Sequence, residues 1–275
     1  MGASIRPVIL KIGGSVVTDK SKPFSVRMKV VRQISEEIAA ATRSGCKSLI
    51  IVHGGGSFGH PMAKEYGIHR GFSESGQLIG FVKTVQAMRR LSSIIVESLQ
   101  ALGVPAFPLQ PSAFVVQRDG RIFTMFQAVL DRSLEAGFIP VLWGDAVLDE
   151  KRGFAILSGD QIVSHLSEVF FPLRVIFGTD VDGIYPSDPK KSKSRPFEKL
   201  TCDELEKIAM QAGESRGIDV TGGMAGKLAE IINIASRGVE VVVTNAMKKG
   251  NILQALLGKE VGTVVKPRKV DGSIE

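Results

Sequence analysis

Cysteine is nearly absent from this 275-residue chain: only Cys46 and Cys202 occur, far apart and without metal-ligand spacing. That scarcity excludes a disulfide framework and argues against a zinc module, and it fits a reducing cytoplasm. Long apolar runs are missing as well. No stretch approaches the ~18 consecutive apolar residues of a membrane span. The N-terminal Met1-Gly2-Ala3-Ser4-Ile5-Arg6-Pro7 lacks the apolar core of a signal peptide, and the first apolar run is interrupted by Lys11. The sequence therefore predicts a soluble protein with no membrane partner. Stacking surfaces are scarce, with one Trp and two Tyr, which counts against a single-strand nucleic-acid binder. Positive charge is in excess, +7 overall, but it is dispersed apart from the short run Lys190-Lys191-Ser192-Lys193-Ser194-Arg195. Small anionic substrates account for such a balance.

What remains is ordinary globular composition, 44% hydrophobic and 23% charged, which argues against disorder, in a chain long enough for a large core or two packed domains. Periodicity predicts strands at 8–12, 48–52, 105–109, 113–116, 138–143, 173–177, 239–243 and 263–265, and a hairpin of 144–148 with 153–157. Helices are predicted at 27–43, 77–102, 128–136, 202–210 and 252–257, with another opening at Thr221–Lys227 and running to Arg237. Asp160 reads as the cap of a helix through Val169, and Met62-Ala63-Lys64-Glu65 is compatible with a helix starting beyond the glycine-rich run 53–60. The polar stretch 187–196 reads as a loop. Strands alternate with helices throughout, which predicts an α/β sheet sandwich with a boundary near Phe171-Pro172.

Three glycine-rich segments each carry a cation. They are Lys11-Ile12-Gly13-Gly14-Ser15, the run His53-Gly54-Gly55-Gly56-Ser57-Phe58-Gly59-His60, and Thr221-Gly222-Gly223 with Lys227. Glycine lets bare N–H groups approach a phosphate, and a nearby lysine neutralises it. Each segment alone reads as a turn; together they favour phosphate handling. The second also matches Gly-x-Gly-x-x-Gly through Gly54, Gly56 and Gly59, but Glu74 follows no apolar strand that would present it to a ribose. A Walker A loop fails too, since Leu228 stands where the metal-binding hydroxyl belongs.

Lys11 to Ser15, the second glycine loop, Ser158-Gly159-Asp160, Thr179-Asp180-Val181-Asp182-Gly183-Ile184-Tyr185 and Thr221-Gly222-Gly223 with Lys227 resemble, in that order, the amino acid kinase superfamily. The resemblance covers nearly the whole chain. It implies an open α/β/α sandwich with a mainly parallel central sheet, a phosphoryl-acceptor lobe at 1–172, an ATP-binding lobe at 173–275, and a homodimer or higher oligomer. Within that superfamily, Lys11 to Lys20 together with His53 to His60 resemble the isopentenyl phosphate kinases. This implies ATP-dependent phosphorylation of a small phosphate monoester, isopentenyl phosphate, with no nucleic-acid partner.

Phosphoryl transfer asks a protein mainly for positioning and positive charge. A lone lysine inside Val-Ile-Leu-Lys-Ile is poorly explained as a surface residue, so Lys11 with Gly13, Gly14 and Ser15 is expected to cradle ATP phosphates, and Lys227 to hold them from the other lobe. The resemblance makes Lys20, otherwise an ordinary loop lysine, a stabiliser of the transferring group, and gives Asp160 the task of orienting two active-site lysines. It also carries over Gly56 and Gly223 as ATP contacts, and Asp180 and Tyr185 as adenosine and ribose contacts. His60, at the end of its loop, is expected to position the acceptor phosphate as a hydrogen-bond donor beside the N–H groups of Gly55 and Gly159. Mg2+ is expected with ATP, bridging phosphates with few protein ligands. Phe81, Thr84, Val85, Met88 and Ile156 are candidates for an apolar wall around the acceptor tail, although a stripe at this spacing is also what plain core looks like. His53 is expected to satisfy backbone groups, and His69 and His165 to be peripheral.

Three other readings stay open at this level. A fosfomycin-type phosphonate kinase, which has a similar loop, or another small-molecule kinase of the superfamily is one; a nucleotide-binding regulator would keep the fold without catalysis, and a basic nucleic-acid binder would need a continuous basic face.

Overall fold

Residues 6–186, 194–210 and 226–268 are described by the computed structural model, with the helical backbone at 211–214 and 222–225. The strands are β1 (Val8–Ile12), β2 (Leu49–His53), β3 (Ala106–Pro108), β4 (Val115–Arg118), β5 (Arg121–Met125), β6 (Ile139–Trp143), β7 (Asp145–Asp149), β8 (Gly153–Leu157), β9 (Arg174–Thr179), β10 (Lys199–Thr201), β11 (Val241–Asn245) and β12 (Thr263–Lys266). The helices are α1 (Gly14–Val17), α2 (Met28–Arg43), α3 (Gly56–Glu65), α4 (Gly76–Gln100), α5 (Ala128–Glu135), α6 (Gly159–Phe170), α7 (Cys202–Glu214), α8 (Gly222–Ser236) and α9 (Asn251–Leu256). Among the described residues the main sheet has eight strands in the order β10-β12-β11-β9-β1-β2-β6-β3. It is parallel from β11 to β3, while β12 runs antiparallel to β11 and β10 runs parallel to β12. A smaller sheet of order β5-β4-β7-β8 accompanies it.

Period-two alternation divides β1 between two cores. Val8, Leu10 and Ile12 join Val31, Ile34 and Ile38 of α2, Leu91, Ile95 and Leu99 of α4, and Ile252 of α9 on one face. Ile9 faces the other core, built from Leu130 and Leu134 of α5, Ile162 and Leu166 of α6, Leu205 of α7, and Ile231 and Ile234 of α8. Helices on both faces of a mainly parallel sheet make the open α/β/α sandwich that the sequence predicted. Each fully buried Leu or Ile contributes roughly 1.5–3 kcal/mol. The buried Glu37 of α2 ties early and late parts of the chain together: its Oε1 accepts from Gly250 N at 2.8 Å and its Oε2 from Leu253 N at 3.0 Å, at the N-terminus of α9. No helix among the described residues is long and apolar enough to cross a membrane.

The structure departs from the sequence reading in several places, among them α1 and β10, which periodicity did not mark. The segment 113–116 divides into a 3-10 turn at Pro111–Ala113 and the strand β4. β5 was not expected: it is largely exposed, so it has no apolar signature, yet Asp119 (φ 53°) and Gly120 (φ 78°) make the positive-φ turn that an Asp-Gly pair favours. Helix α3 begins within the glycine run rather than beyond it, so His60 and Pro61 lie inside a helix. Asp160 does not cap α6. Ser158 does, its side chain accepting from Gln161 N at 3.1 Å, which frees the Asp160 carboxylate to act elsewhere.

Candidate active site

Parallel pairing sets Lys11 opposite Val52 and Ile12 opposite His53, so the turns leaving β1 and β2 meet at one end of the sheet, where open α/β sheets hold ligands. They meet backbone to backbone. A Cβ on Gly14 would stand 2.3 Å from Gly56 N, and one on Gly54 would stand 2.7 Å from Gly14 N. Only glycine permits that approach, and Gly56 also adopts φ 48°. The Gly14 and Ser15 amides of α1 and the Gly56 amide of α3 have no intrahelical acceptor and border the same space, whereas Ser57 N is taken by Thr18 and Phe58 N by Gly55 O. Gly13 shapes this turn but does not donate into it, because its N–H is used on Gly178 O at 2.8 Å.

Alternation places Lys11 on the α6 and α8 face, where the first turn of α6 presents Asp160. Lys11 Nζ lies 2.6 Å from Asp160 Oδ1, and Lys227 Nζ from α8 lies 3.0 Å from Oδ2. Burial would raise the Asp160 carboxyl, but the Lys11 and Lys227 ammoniums and their hydrogen bonds outweigh it and hold it below the ordinary carboxylate range. Lys227 is itself lowered to about 8, first by burial and then by the Lys11 charge, with Asp160 opposing. The two shifts are compatible, since one carboxylate is shared between two ammoniums.

These groups border one cavity of about 1220 Å³. Its wall holds Lys11, Gly13, Gly14, Ser15, Lys20, Gly55, Gly56, His60, Gly159, Asp160, Asp180 and Lys227, so these expected site residues converge. Tyr185, half-buried, stands off this wall; Gly223 is described only as backbone in the first turn of α8, and 187–193 of the lysine-rich stretch lies outside the described residues. Desolvation first, and then the Lys20 and Lys11 charges, lower the His60 imidazole from its ordinary range, which favours the neutral ring with one N–H to offer a ligand. Lys11, Lys20 and Lys227 around Asp160 make a local excess of positive charge at the glycine turns, while over the whole wall basic and acidic side chains are equal in number. The candidates for the apolar wall divide: Thr84, Met88 and Ile156 line the cavity, whereas Phe81 and Val85 pack against Ala63, Ile68 and Phe154 beneath it.

His53 is fully buried, stacked on Trp143 at 5.9 Å between ring centroids, with Nδ1 3.2 Å from Gly54 O and no partner for Nε2. Burial holds its pKa down at about 4. His69 was expected to be peripheral but lines the cavity. Several wall residues escaped the sequence reading. Gln161 on α6 is signalled by the Ser-x-x-Gln pattern that starts at Ser158. Arg121 of β5 meets Glu230 of α8 at 2.5 Å, a pair that depends on the unexpected strand. Asp145 carries no local signal. Burial pushes its carboxyl up to about 7 although Ser112 and Ala146 donate to it, so it repels an anion little.

The arrangement gathers glycine turns, three ammoniums and an imidazole around one space, which suits two phosphates in apposition. Comparison with known proteins agrees. The amino acid kinase family matches residues 6–245. An isopentenyl phosphate kinase of Methanothermobacter thermautotrophicus is 42% identical over 263 residues, covering 92% of this chain and 96% of that protein. A solved isopentenyl phosphate kinase superposes with a TM-score of 0.81 at 38% identity, covering 94% of this chain and 99% of the other. The Thermoplasma acidophilum isopentenyl phosphate kinase, solved as a product complex, gives a TM-score of 0.77 at 29% identity over 94% of this chain and 100% of its own. This chain belongs to the amino acid kinase family and, within it, to the isopentenyl phosphate kinases.

Proposed function

We propose that the protein transfers the γ-phosphoryl group of ATP to the phosphate of isopentenyl phosphate, giving isopentenyl diphosphate and ADP for isoprenoid synthesis. The observation that carries this reading is the side-by-side placement of Lys11, Lys20, Lys227 and His60 with the wall of Thr84, Met88 and Ile156. The cations suit two phosphates, and the wall suits a short apolar tail. A fosfomycin-type acceptor is not favoured.

In this reading an acceptor phosphate oxygen attacks the γ-phosphorus while the bond to the β–γ bridging oxygen breaks. A phosphate monoester has a second pKa of about 6, so it reaches the site largely as a dianion and no general base is needed. Asp160 could not serve as one, since its carboxyl is held low by two ammoniums. Lys11 and Lys227 hold the ATP phosphates, with Gly14, Ser15 and Gly56 amides beside Lys11. Lys20 meets charge developing on the transferring group. His60 and the Gly55 and Gly159 amides fix the acceptor. Asp180, Tyr185 and Gly223 fall to the nucleotide side, in the lobe 173–275, and the acceptor belongs to the lobe 1–172.

Mg2+, bound together with ATP, would supply positive charge that neutralises the phosphates. Asp160 is committed to Lys11 and Lys227 rather than to an ion. We also propose a homodimer in the cytoplasm. Exposed Leu78, Ile79 and Val82 on α4 offer apolar surface for the former, and free Cys46 and Cys202 suit the latter. Light scattering should return twice the chain mass of 29.6 kDa; the single mass would refute the dimer. Purified protein with ATP, Mg2+ and isopentenyl phosphate should yield isopentenyl diphosphate by 31P NMR. His60→Ala should lower kcat/KM for the acceptor by about 10²-fold, as loss of one oriented donor does elsewhere. No diphosphate product from the unaltered protein would overturn the reading.

A further inference from the structure

Thr18 is fully buried although it stands at the edge of the site, two residues before Lys20. Its Oγ1 donates to Gly14 O at 2.7 Å and accepts from Ser57 N at 2.9 Å. One hydroxyl thereby joins the ATP-side glycine turn to the first turn of α3, the helix that carries His60. Its only proton is used on Gly14, so the direction of both bonds is fixed. There is no slack around it, since a Cβ on Gly56 would fall 2.0 Å from this oxygen.

Ser57 completes the joint from the other side. Pro61 lacks the N–H that would bond the Ser57 carbonyl within α3, and that carbonyl accepts instead from Phe24 N at 3.1 Å. Ser57 Oγ accepts from Ser25 N at 3.2 Å, and the Phe24 ring meets Phe58 edge-on at 5.4 Å. The segment from Thr18 to Val26, closed by an antiparallel bridge between those two residues, is thus fastened to α3.

We propose that Thr18 is a positioning residue, whose hydroxyl locks the donor-side turn to the acceptor helix so that Lys20 and His60 move as one body and the two phosphates keep a fixed separation. This rests on the reading of the cavity as a phosphoryl-transfer site. Phosphoryl transfer depends on alignment of the reacting atoms, and a loosened joint admits water to the γ-phosphorus. In that side reaction a water oxygen bonds to the γ-phosphorus, the bond to the bridging oxygen breaks, ADP leaves with the electron pair, and the water proton passes to solvent, giving inorganic phosphate.

Thr18→Val keeps the shape and removes both bonds; Thr18→Ser keeps the hydroxyl. With ADP and isopentenyl diphosphate counted in the same reaction, Thr18→Val should lower kcat at least about 10-fold, equivalent to about 1.4 kcal/mol of barrier. Its KM values should change little, and ADP should exceed diphosphate product. Thr18→Ser should restore kcat to within about threefold of the unaltered protein and return the ratio to one. If Thr18→Val does not fold, Thr18→Ala, with room for a water at the joint, provides the same comparison. A hydroxyl-free variant that folds and keeps both kcat and the one-to-one ratio overturns the inference, as does a Thr18→Ser variant as impaired as Thr18→Val. Failure of the unaltered protein to make any diphosphate would instead sink the functional reading beneath it.

Discussion

At Asp160 a single carboxylate answers two ammoniums, and its charge is what lets Lys11 and Lys227 share a dry site. Asp160→Asn keeps the size and removes that charge, leaving the two lysines to repel each other. Because the added positive balance still attracts polyphosphate, KM for ATP should hold or fall while kcat drops by about 10²-fold; steady-state kinetics showing an unchanged kcat would refute the role. Lys227 adds a pH signature. Its folded pKa is lowered to about 8, so the ATP-free enzyme loses this ammonium as pH rises through that value. The pH profile of kcat/KM for ATP should therefore fall on its alkaline side near pH 8, and Lys227→Arg should remove that limb whatever its effect on rate. His53 has the opposite bearing on stability. Its folded pKa, about 4, lies below its unfolded value of 6.5, so its contribution is complete above pH 6.5 and is lost as pH falls toward 4. His53→Phe, which keeps the ring on Trp143, should show a smaller drop in melting temperature between pH 6.5 and 4.5 than the unaltered protein; equal drops would show that His53 does not titrate in that window.

Elements written by periodicity were legible in the sequence, and elements written by partners were not. α2, α4 and α6 each bury a regular stripe, and β1, β2 and β9 are apolar because both faces are covered. β5 is exposed, so only its Asp-Gly turn could have announced it. α3 starts among glycines, which weigh against a helix locally; Thr18 and the loop behind it supply the missing bonds from 39 residues away. The same logic divides the site. Lys11 was legible as a lone charge in a buried strand, whereas the Asp160–Lys227 pair spans 67 residues and was reachable only through resemblance. Thr18, in a stretch with no periodicity, carries no local signal of its two bonds. At this scale Glu37 makes a test, since it satisfies two amides at the start of α9 from α2. Glu37→Ala should cost about 1–3 kcal/mol in urea unfolding through those orphaned donors, with kcat/KM little altered. A loss below about 0.5 kcal/mol would mean that water replaces the carboxylate.

Across the molecule, one continuous sheet carries the cavity. β1 lies between β2, which leads into α3, and β9, which leads to Asp180, so the groups proposed for donor and acceptor share a single frame. The net charge of +7 is dispersed, and within the cavity, whose wall carries equal numbers of acidic and basic side chains, the positive focus is Lys11, Lys20 and Lys227 around Asp160. That focus, next to Thr84, Met88 and Ile156, is the basis for assigning a phosphate with an apolar tail as acceptor. The direct test is a side-by-side measurement of kcat/KM, with ATP and Mg2+ fixed, for isopentenyl phosphate, fosfomycin, UMP, carbamate and an amino acid acceptor. Isopentenyl phosphate should exceed every other acceptor by at least about 10³-fold, as expected when a site's charged and apolar groups are both matched. A higher value for any of the others, or no turnover of isopentenyl phosphate, would contradict the account.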